Sequence, residues 1–169
     1  MAVEESRLQT LEDRLHELEA KESIRKLRSE YCYRADAREW EAWADVFTED
    51  GRIEVDQLGT YEGREEILEF AHEVIAAEYQ WFSHMVHNGV IEVDGDEATG
   101  TWYFEVPCVS KQTLLNEGEA GWLQGRYDEE YRLVDGEWKI ARSEAQFHYV
   151  ADHESGWADQ ILAQVAEAE

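Results

Sequence analysis

Proline occurs once in this 169-residue chain, at Pro107, and no Ser/Gly-rich linker or internal repeat interrupts it. Nothing therefore divides it into separate bodies, and its length suits one domain with a core large enough to enclose a ligand. Cysteine occurs twice, at Cys32 and Cys108, too far apart for a zinc or redox motif. Each reads as a small buried hydrophobe. No apolar run approaches eighteen residues, so no membrane helix is expected. The start, Met1-Ala2-Val3-Glu4-Glu5, lacks the basic and apolar regions of a signal peptide, and a cytoplasmic protein is the expectation. Positive charge is scarce as well: 15 basic residues, only four of them lysine, face 40 acidic ones. Without a basic patch the surface repels phosphate backbones and anionic lipid, which excludes nucleic acid and membrane as partners.

What is present is a foldable composition, 43% apolar and 12% aromatic, with seven Trp and eight Tyr. The net charge of −25 is spread along the whole length rather than gathered in a tail. That distribution suggests a protein adapted to high salt, where counter-ions screen the self-repulsion that opposes compaction.

Leu8, Leu11, Leu15 and Leu18 recur at spacings of three and four, and Ile24, Leu27 and Tyr31 continue a helical stripe after a phase change near Glu22. The pattern predicts one long helix, or two nearly collinear ones, over about 5–36. Two heptads are short for a coiled coil, and the ordinary reading is an amphipathic helix lying on its own domain. Trp40, Trp43, Ala44 and Phe47 suggest a second helix ended by Thr48-Glu49-Asp50-Gly51. A strand is expected at 52–56, a loop at Gly59-Thr60-Tyr61-Glu62-Gly63, and a third helix over about 64–79.

Beyond residue 82 the hydrophobic period falls to about two, predicting strands near 84–93, 97–110, 119–134 and 137–149, with tight turns at Asp94-Gly95 and Asp135-Gly136. Helices followed by long antiparallel strands define an α+β domain with helices on one face of a sheet. Gly100, Gly121 and Gly125 allow the bends by which such a sheet closes into a cone with a cavity.

His84 heads the run Ser83-His84-Met85-Val86-His87-Asn88, and Asp36 stands at the end of the first helix. A histidine beside a carboxylate is a common way to hold a general base, although a strand histidine is also often a packed structural residue. His87, three residues on, falls on the opposite strand face and is expected to be structural or exposed. His148, Asp152 and His153 lack the spacing of known zinc motifs, so no metal site is expected. Trp102, Tyr103, Phe104, Trp122 and Phe147 are candidates for lining an apolar cavity, and core packing explains them equally well.

In the order and spacing of several segments the chain resembles the SnoaL-like branch of the nuclear-transport-factor-2-like superfamily. They are Ile24-Arg25-Lys26-Leu27 through Tyr31 and Asp36, Trp43 through Gly51, Gly59 through Gly63, His84 through Asn88, and Tyr127-Asp128-Glu129-Glu130-Tyr131 followed by Asp135 through Ile140. The resemblance implies a cone-shaped, curved antiparallel sheet wrapped around three N-terminal helices, the NTF2-like or cystatin-like α+β barrel. It places a helical extension at 1–21, the domain at 22–150 and a tail able to form a helix at 151–169. Within the superfamily the likeness is nearest to the lindane dehydrochlorinase, scytalone dehydratase and bile-acid 7α-dehydratase group, which resemble one another in pairing a helix-borne aspartate with a strand-borne histidine. Asp36 and His84 match those positions, 84 − 36 = 48 residues apart. Arg142 matches a functional arginine of the dehydrochlorinase, and Tyr31 a tyrosine of the bile-acid dehydratase. Where the dehydrochlorinase has lysine this chain has Tyr31, which favours a hydroxyl over a halide leaving group. The resemblance also implies a homotrimer built on sheet faces.

The chemistry so implied is a cofactor-independent elimination on a small hydrophobic molecule. His84 is the base, Asp36 its orienting partner, and Tyr31 and Arg142 stabilise developing charge. Each residue also has a plainer reading: Asp36 as a helix-end polar group, Tyr31 as part of the apolar stripe, Arg142 as a cross-strand ion pair. Because the superfamily also holds isomerases, cyclases, dioxygenase β subunits and proteins without known activity, a non-catalytic ligand binder and an interaction subunit stand beside the lyase.

Overall fold

A computed structural model describes residues 2–111, 118–154 and 156–157. The first helix, α1 (Ala2–Ala37), is followed by α2 (Trp40–Ala44), β1 (Phe47–Val55) and β2 (Gly59–Glu62). Next come α3 (Gly63–Glu69), a π-helical turn (Phe70–Ile75) and α4 (Ala76–Glu78), and then five strands: β3 (Tyr79–Phe82), β4 (Met85–Asp94), β5 (Glu97–Ser110), β6 (Ala120–Val134) and β7 (Glu137–Asp152). The sheet runs β2-β1-β7-β6-β5-β3, with β4 also paired to β5, and it curves without closing.

Alternation in β5 and β6 sends Phe104, Val106, Leu123 and Tyr127 to the concave face, where they meet Ile24, Trp43 and Ile67 from the helices in one core. Curvature has an identifiable hinge at Gly125. The β6–β7 register shifts between Gln124 and Gly125, and a Cβ there would stand 2.1 Å from the Gln146 carbonyl oxygen. No other residue fits so close a backbone approach.

Several elements differ from the sequence reading. Phe47 and the 48–51 segment belong to β1 rather than to a helix and its turn, because Phe47 and Thr48 are both buried across a bulge in the β1–β7 pairing. Gly51 belongs to that irregularity, since a Cβ on it would lie 2.8 Å from the Thr48 carbonyl oxygen. The expected loop at 59–63 supplies an edge strand, β2, paired antiparallel to β1. The pairing of β1 with β7 is parallel, so the sheet is mixed at that seam. The third helix is broken by the π-helical turn, whose i→i+5 pattern stacks residues five apart and brings Phe70 and Ile75 to one side. β7 runs through Asp152, and positions 155 and 158–169 of the segment read as a tail able to form a helix lie outside the described residues.

The N-terminal part of α1 is not laid on the domain as expected. Residues 3–19 are exposed on every face; the packed part of the helix begins at Ala20, and its first fully buried residue is Ile24.

The end of α1 is closed tightly. Arg38 takes a left-handed conformation (φ 58°), its N–H donates to the Ala35 carbonyl, and the Glu39 N–H reaches back to Arg34, both at 2.9 Å. This is a Schellman closure with arginine in the usual glycine position. The Arg38 guanidinium compensates by donating to the carbonyls of Tyr79 (2.7 Å) and Gln80 (3.1 Å), which ties the helix end to β3.

Candidate active site

The last turn of α1 and the break between β3 and β4 meet at Asp36 and His84. Both β3 and β4 lie along the same side of β5, with Phe82 opposite Cys108 and Met85 opposite Glu105, leaving Ser83 and His84 between them. Pro107 sits at this break. Its carbonyl accepts the Ser83 N–H at 3.1 Å, and its missing N–H points toward the same gap, where no ladder partner is needed.

Asp36 holds His84 through side chain and main chain together. The His84 Nδ1–H donates to Asp36 Oδ1 at 2.7 Å, the His84 backbone N–H reaches both carboxylate oxygens at 3.0 Å, and the Ser83 hydroxyl donates to Oδ2 at 3.3 Å. The two side chains are mostly buried, 13% and 23% exposed. With Nδ1 committed to the carboxylate, Nε2 is the nitrogen that a bound molecule meets.

His84 lines an apolar cavity of about 70 Å³ together with Tyr31, Phe104, Tyr127, Ser143 and Phe147. The Tyr31 ring stands edge-on to His84, centroids 6.1 Å apart. Burial pushes the Tyr31 phenol up to about 12, and burial also raises Tyr127 well above its usual range, so both hydroxyls stay protonated donors at ordinary pH.

Beneath the tyrosines lies Arg28, 1% exposed, its guanidinium carbon 3.9 Å from the Tyr31 ring centroid and 4.0 Å from that of Tyr127. Desolvated cation–π contacts of this kind contribute about 2 kcal/mol or more. Its charge is met by Glu129 at 3.3 Å, an ion pair without hydrogen-bond geometry. Glu129 in turn accepts hydrogen bonds from Ser143 Oγ (2.8 Å) and the Tyr131 hydroxyl, and Tyr131 accepts from the Trp102 indole at 2.8 Å. This buried chain of polar contacts fixes the floor of the cavity.

Of the residues singled out from the sequence, His84, Tyr31, Phe104 and Phe147 line the cavity, and Asp36 reaches it through its hydrogen bond to His84. Arg142 does not. Its guanidinium donates to Glu54 at 2.8 Å and Glu144 at 2.7 Å on the outer face, the ion-pair alternative. The cause is a register shift in the β6–β7 pairing: Trp138 and Ile140 point inward, but beyond the bulge Ser143 and Ala145 do, so Arg142 is turned out. Tyr103 (41% exposed) and Trp122 also miss the cavity, because their neighbours Phe104 and Leu123 take the inward positions. Trp102 faces inward but borders a second, polar recess between α1 and β4, shared with Arg28, Cys32, Asp36 and His84. His87 is exposed as expected, 3.7 Å from Glu105, but it borders the same polar recess as His84 rather than the opposite face. His148, Asp152 and His153 form no ligand cluster among the described residues. Sequence reading missed Arg28, Tyr127, Glu129 and Ser143. The one available signal was an arginine four residues after Ile24 and three before Tyr31, on the buried stripe of the helix.

The SnoaL-like domain model matches residues 16–144. Hexachlorocyclohexane dehydrochlorinase 1 of Sphingobium indicum is 26% identical over 136 residues, 80% of this chain and 86% of that protein. Among solved structures, the dehydrochlorinase LinA superposes with a TM-score of 0.75 at 22% identity, covering 81% of this chain and 91% of the other. A scytalone-dehydratase-like protein of Novosphingobium aromaticivorans superposes with a TM-score of 0.71 at 25% identity, covering 81% and 89%. An NTF2-like protein with a cystatin-like fold from the same organism gives 0.66 at 25% identity over 81% and 87%. No helix among the described residues is long and apolar enough to cross a membrane.

Proposed function

The chain belongs to the SnoaL-like family, and from that footing we propose that it is a cofactor-independent lyase that eliminates a hydroxyl from a small hydrophobic cyclic or conjugated molecule. The observation that carries this reading is the 2.7 Å contact between His84 Nδ1 and Asp36 at the wall of an apolar cavity. His84 Nε2 removes a proton from a carbon made acidic by an adjacent carbonyl or conjugation. The electron pair left behind forms the new double bond as the C–O bond on the neighbouring carbon breaks. The departing hydroxyl takes a proton and leaves as water, and in a syn elimination the imidazolium returns the proton it took.

Asp36 keeps the imidazole in the tautomer with Nε2 free and stabilises the imidazolium that forms. Tyr31, a neutral donor up to pH about 12, hydrogen-bonds the carbonyl or the leaving oxygen. A general base of this kind contributes roughly 10²–10⁴ in rate.

The test is turnover of a panel of cyclic β-hydroxy carbonyl compounds, read by the ultraviolet absorbance of the conjugated product. His84→Ala should lower kcat by at least about 100-fold with the fold intact, and Asp36→Asn should come close to it. Tyr31→Phe should cost about 2–4 kcal/mol at most, the worth of one donor to developing charge. Activity that survives His84→Ala within a few-fold, or that a chelator abolishes and added metal restores, would defeat the proposal.

A further inference from the structure

Up to Glu19, α1 is a helix with nothing of its own domain to pack on. Leu8, Leu11, Leu15 and Leu18 are 55%, 53%, 53% and 64% exposed. A continuous helix of this length, about 30 Å, presents them as one narrow stripe with 3-4-3 spacing, which is the seam of two heptads with Leu8 and Leu15 at a and Leu11 and Leu18 at d. Seam positions on either side are Glu4 and Glu22, so the apolar stripe is bounded.

The flanks of the seam specify what covers it. In this register the g positions are Arg7, Arg14 and Lys21, and the e positions are Glu5, Glu12 and Glu19. Those three are the only basic residues in the first 21 positions, set seven apart in a chain whose net charge is −25. Within the protomer Lys21 pairs with Glu17 at 2.5 Å, while Arg7, Arg14, Glu12 and Glu19 make no ion pair among the described residues. A separate acidic protein or peptide would meet the arginines but not the acidic flank, and a basic one the reverse. A second copy laid parallel and in register satisfies both. The g residue of one helix then faces the e residue of the next heptad on the other, Arg7 against the partner's Glu12 and Arg14 against the partner's Glu19. An antiparallel copy would set g against g and e against e, like charges throughout.

We infer that residues 4–22 of α1 self-associate as a short parallel coiled coil between copies of this chain. Two heptads alone nucleate poorly, but here the helix is already continuous with the buried 24–37 segment, so its first turns need no separate nucleation. Parallel packing about a common axis is also what a closed cyclic oligomer requires of equivalent helices.

The experiment uses the full chain with one added cysteine. Leu11→Cys at the seam should form an inter-chain disulfide under mild oxidation, because only a parallel, in-register pairing brings identical d positions together. Asp13→Cys on the outer face should not. Native Cys32 and Cys108 are buried and serve as the background, measured on the unaltered chain. Light scattering then tests the charge code: Arg7→Glu with Arg14→Glu should lower the associated mass, and adding Glu12→Arg with Glu19→Arg should restore it. A disulfide at Leu11→Cys, loss of mass on reversal and recovery on the swap support the coiled coil. No cross-link at Leu11→Cys, equal cross-linking at Asp13→Cys, or a mass indifferent to both charge changes would overturn it.

Discussion

At the scale of single residues, the chain's most consequential polar group outside the His84–Asp36 pair is Arg28. An arginine does not shed its proton, so burying it at 1% exposure demands a compensating charge, which Glu129 supplies from a strand 129 − 28 = 101 residues away. Removing one partner strands the other: Glu129→Ala should destabilise the fold by about 3–5 kcal/mol. Arg28→Met combined with Glu129→Leu should cost markedly less than the sum, a difference that urea unfolding of the single and double variants would expose. Arg142 should behave oppositely. It is a surface ion-pair residue, and Arg142→Ala should cost at most about 1 kcal/mol and leave any turnover within a few-fold of the parent. Hydrogen bonds from Arg142 and then Arg52 hold the Glu54 carboxyl below its ordinary value. A depressed carboxyl stabilises the fold above its unfolded value and loses that contribution as pH falls through the folded one. In Arg142→Ala the acid-limb loss attributable to Glu54 should therefore shrink, which a pH series of urea midpoints would measure.

At the scale of elements, what positions the site is the closure of α1 and its tie to β3. Asp36 lies two residues before Arg38, whose left-handed backbone turns the chain and whose guanidinium grips the Tyr79 and Gln80 carbonyls. Arg38→Ala loses both hydrogen bonds and retains the unfavourable backbone, so it should lower stability by about 1–3 kcal/mol. Arg38→Gly relaxes the backbone but not the lost anchor, and should lie between the two. In either variant the His84 Nδ1–H, read as a slowly exchanging nitrogen-bound proton by NMR, should exchange faster than in the parent. Unchanged exchange would mean that the β3–β4 break alone orients the pair. The π-helical turn belongs to the same scale: it aims Phe70 and Ile75 at one cavity wall from a segment whose sequence reads as plain helix.

At the scale of the whole molecule, charge governs stability. With 40 acidic residues against 15 basic ones, self-repulsion opposes the compact state, and screening relieves it. The urea midpoint should therefore rise from dilute buffer to molar salt; a midpoint that stays level or falls would remove the idea of a salt-adapted surface. The alkaline limb has a different origin. Burial raises the phenols of Tyr31, Tyr79, Tyr127 and Tyr131, so their contribution is intact below their ordinary value near 10 and lost as pH climbs above it. Unfolding followed by circular dichroism should coincide there with tyrosinate absorbance.

Local pattern carried much of this fold. The leucine and Ile24-Leu27-Tyr31 spacings placed α1, the two-residue period beyond residue 82 placed the long strands β4–β7, and the separation of Asp36 and His84, read with the family resemblance, marked the central pair. These are properties of a chain segment with its own neighbours, which a sequence displays directly. Tertiary structure decided what depends on pairing between distant segments. The β6–β7 bulge turned Arg142, singled out by the family resemblance, to the outer face, and parallel pairing with β7 drew Phe47 into a strand instead of a helix. The meeting of α1 with the β3–β4 break turned a 48-residue spacing into a 2.7 Å hydrogen bond. Only folding could show that Arg28 is buried, because the carboxylate that makes its burial tolerable lies on another element, and no local spacing encodes that meeting.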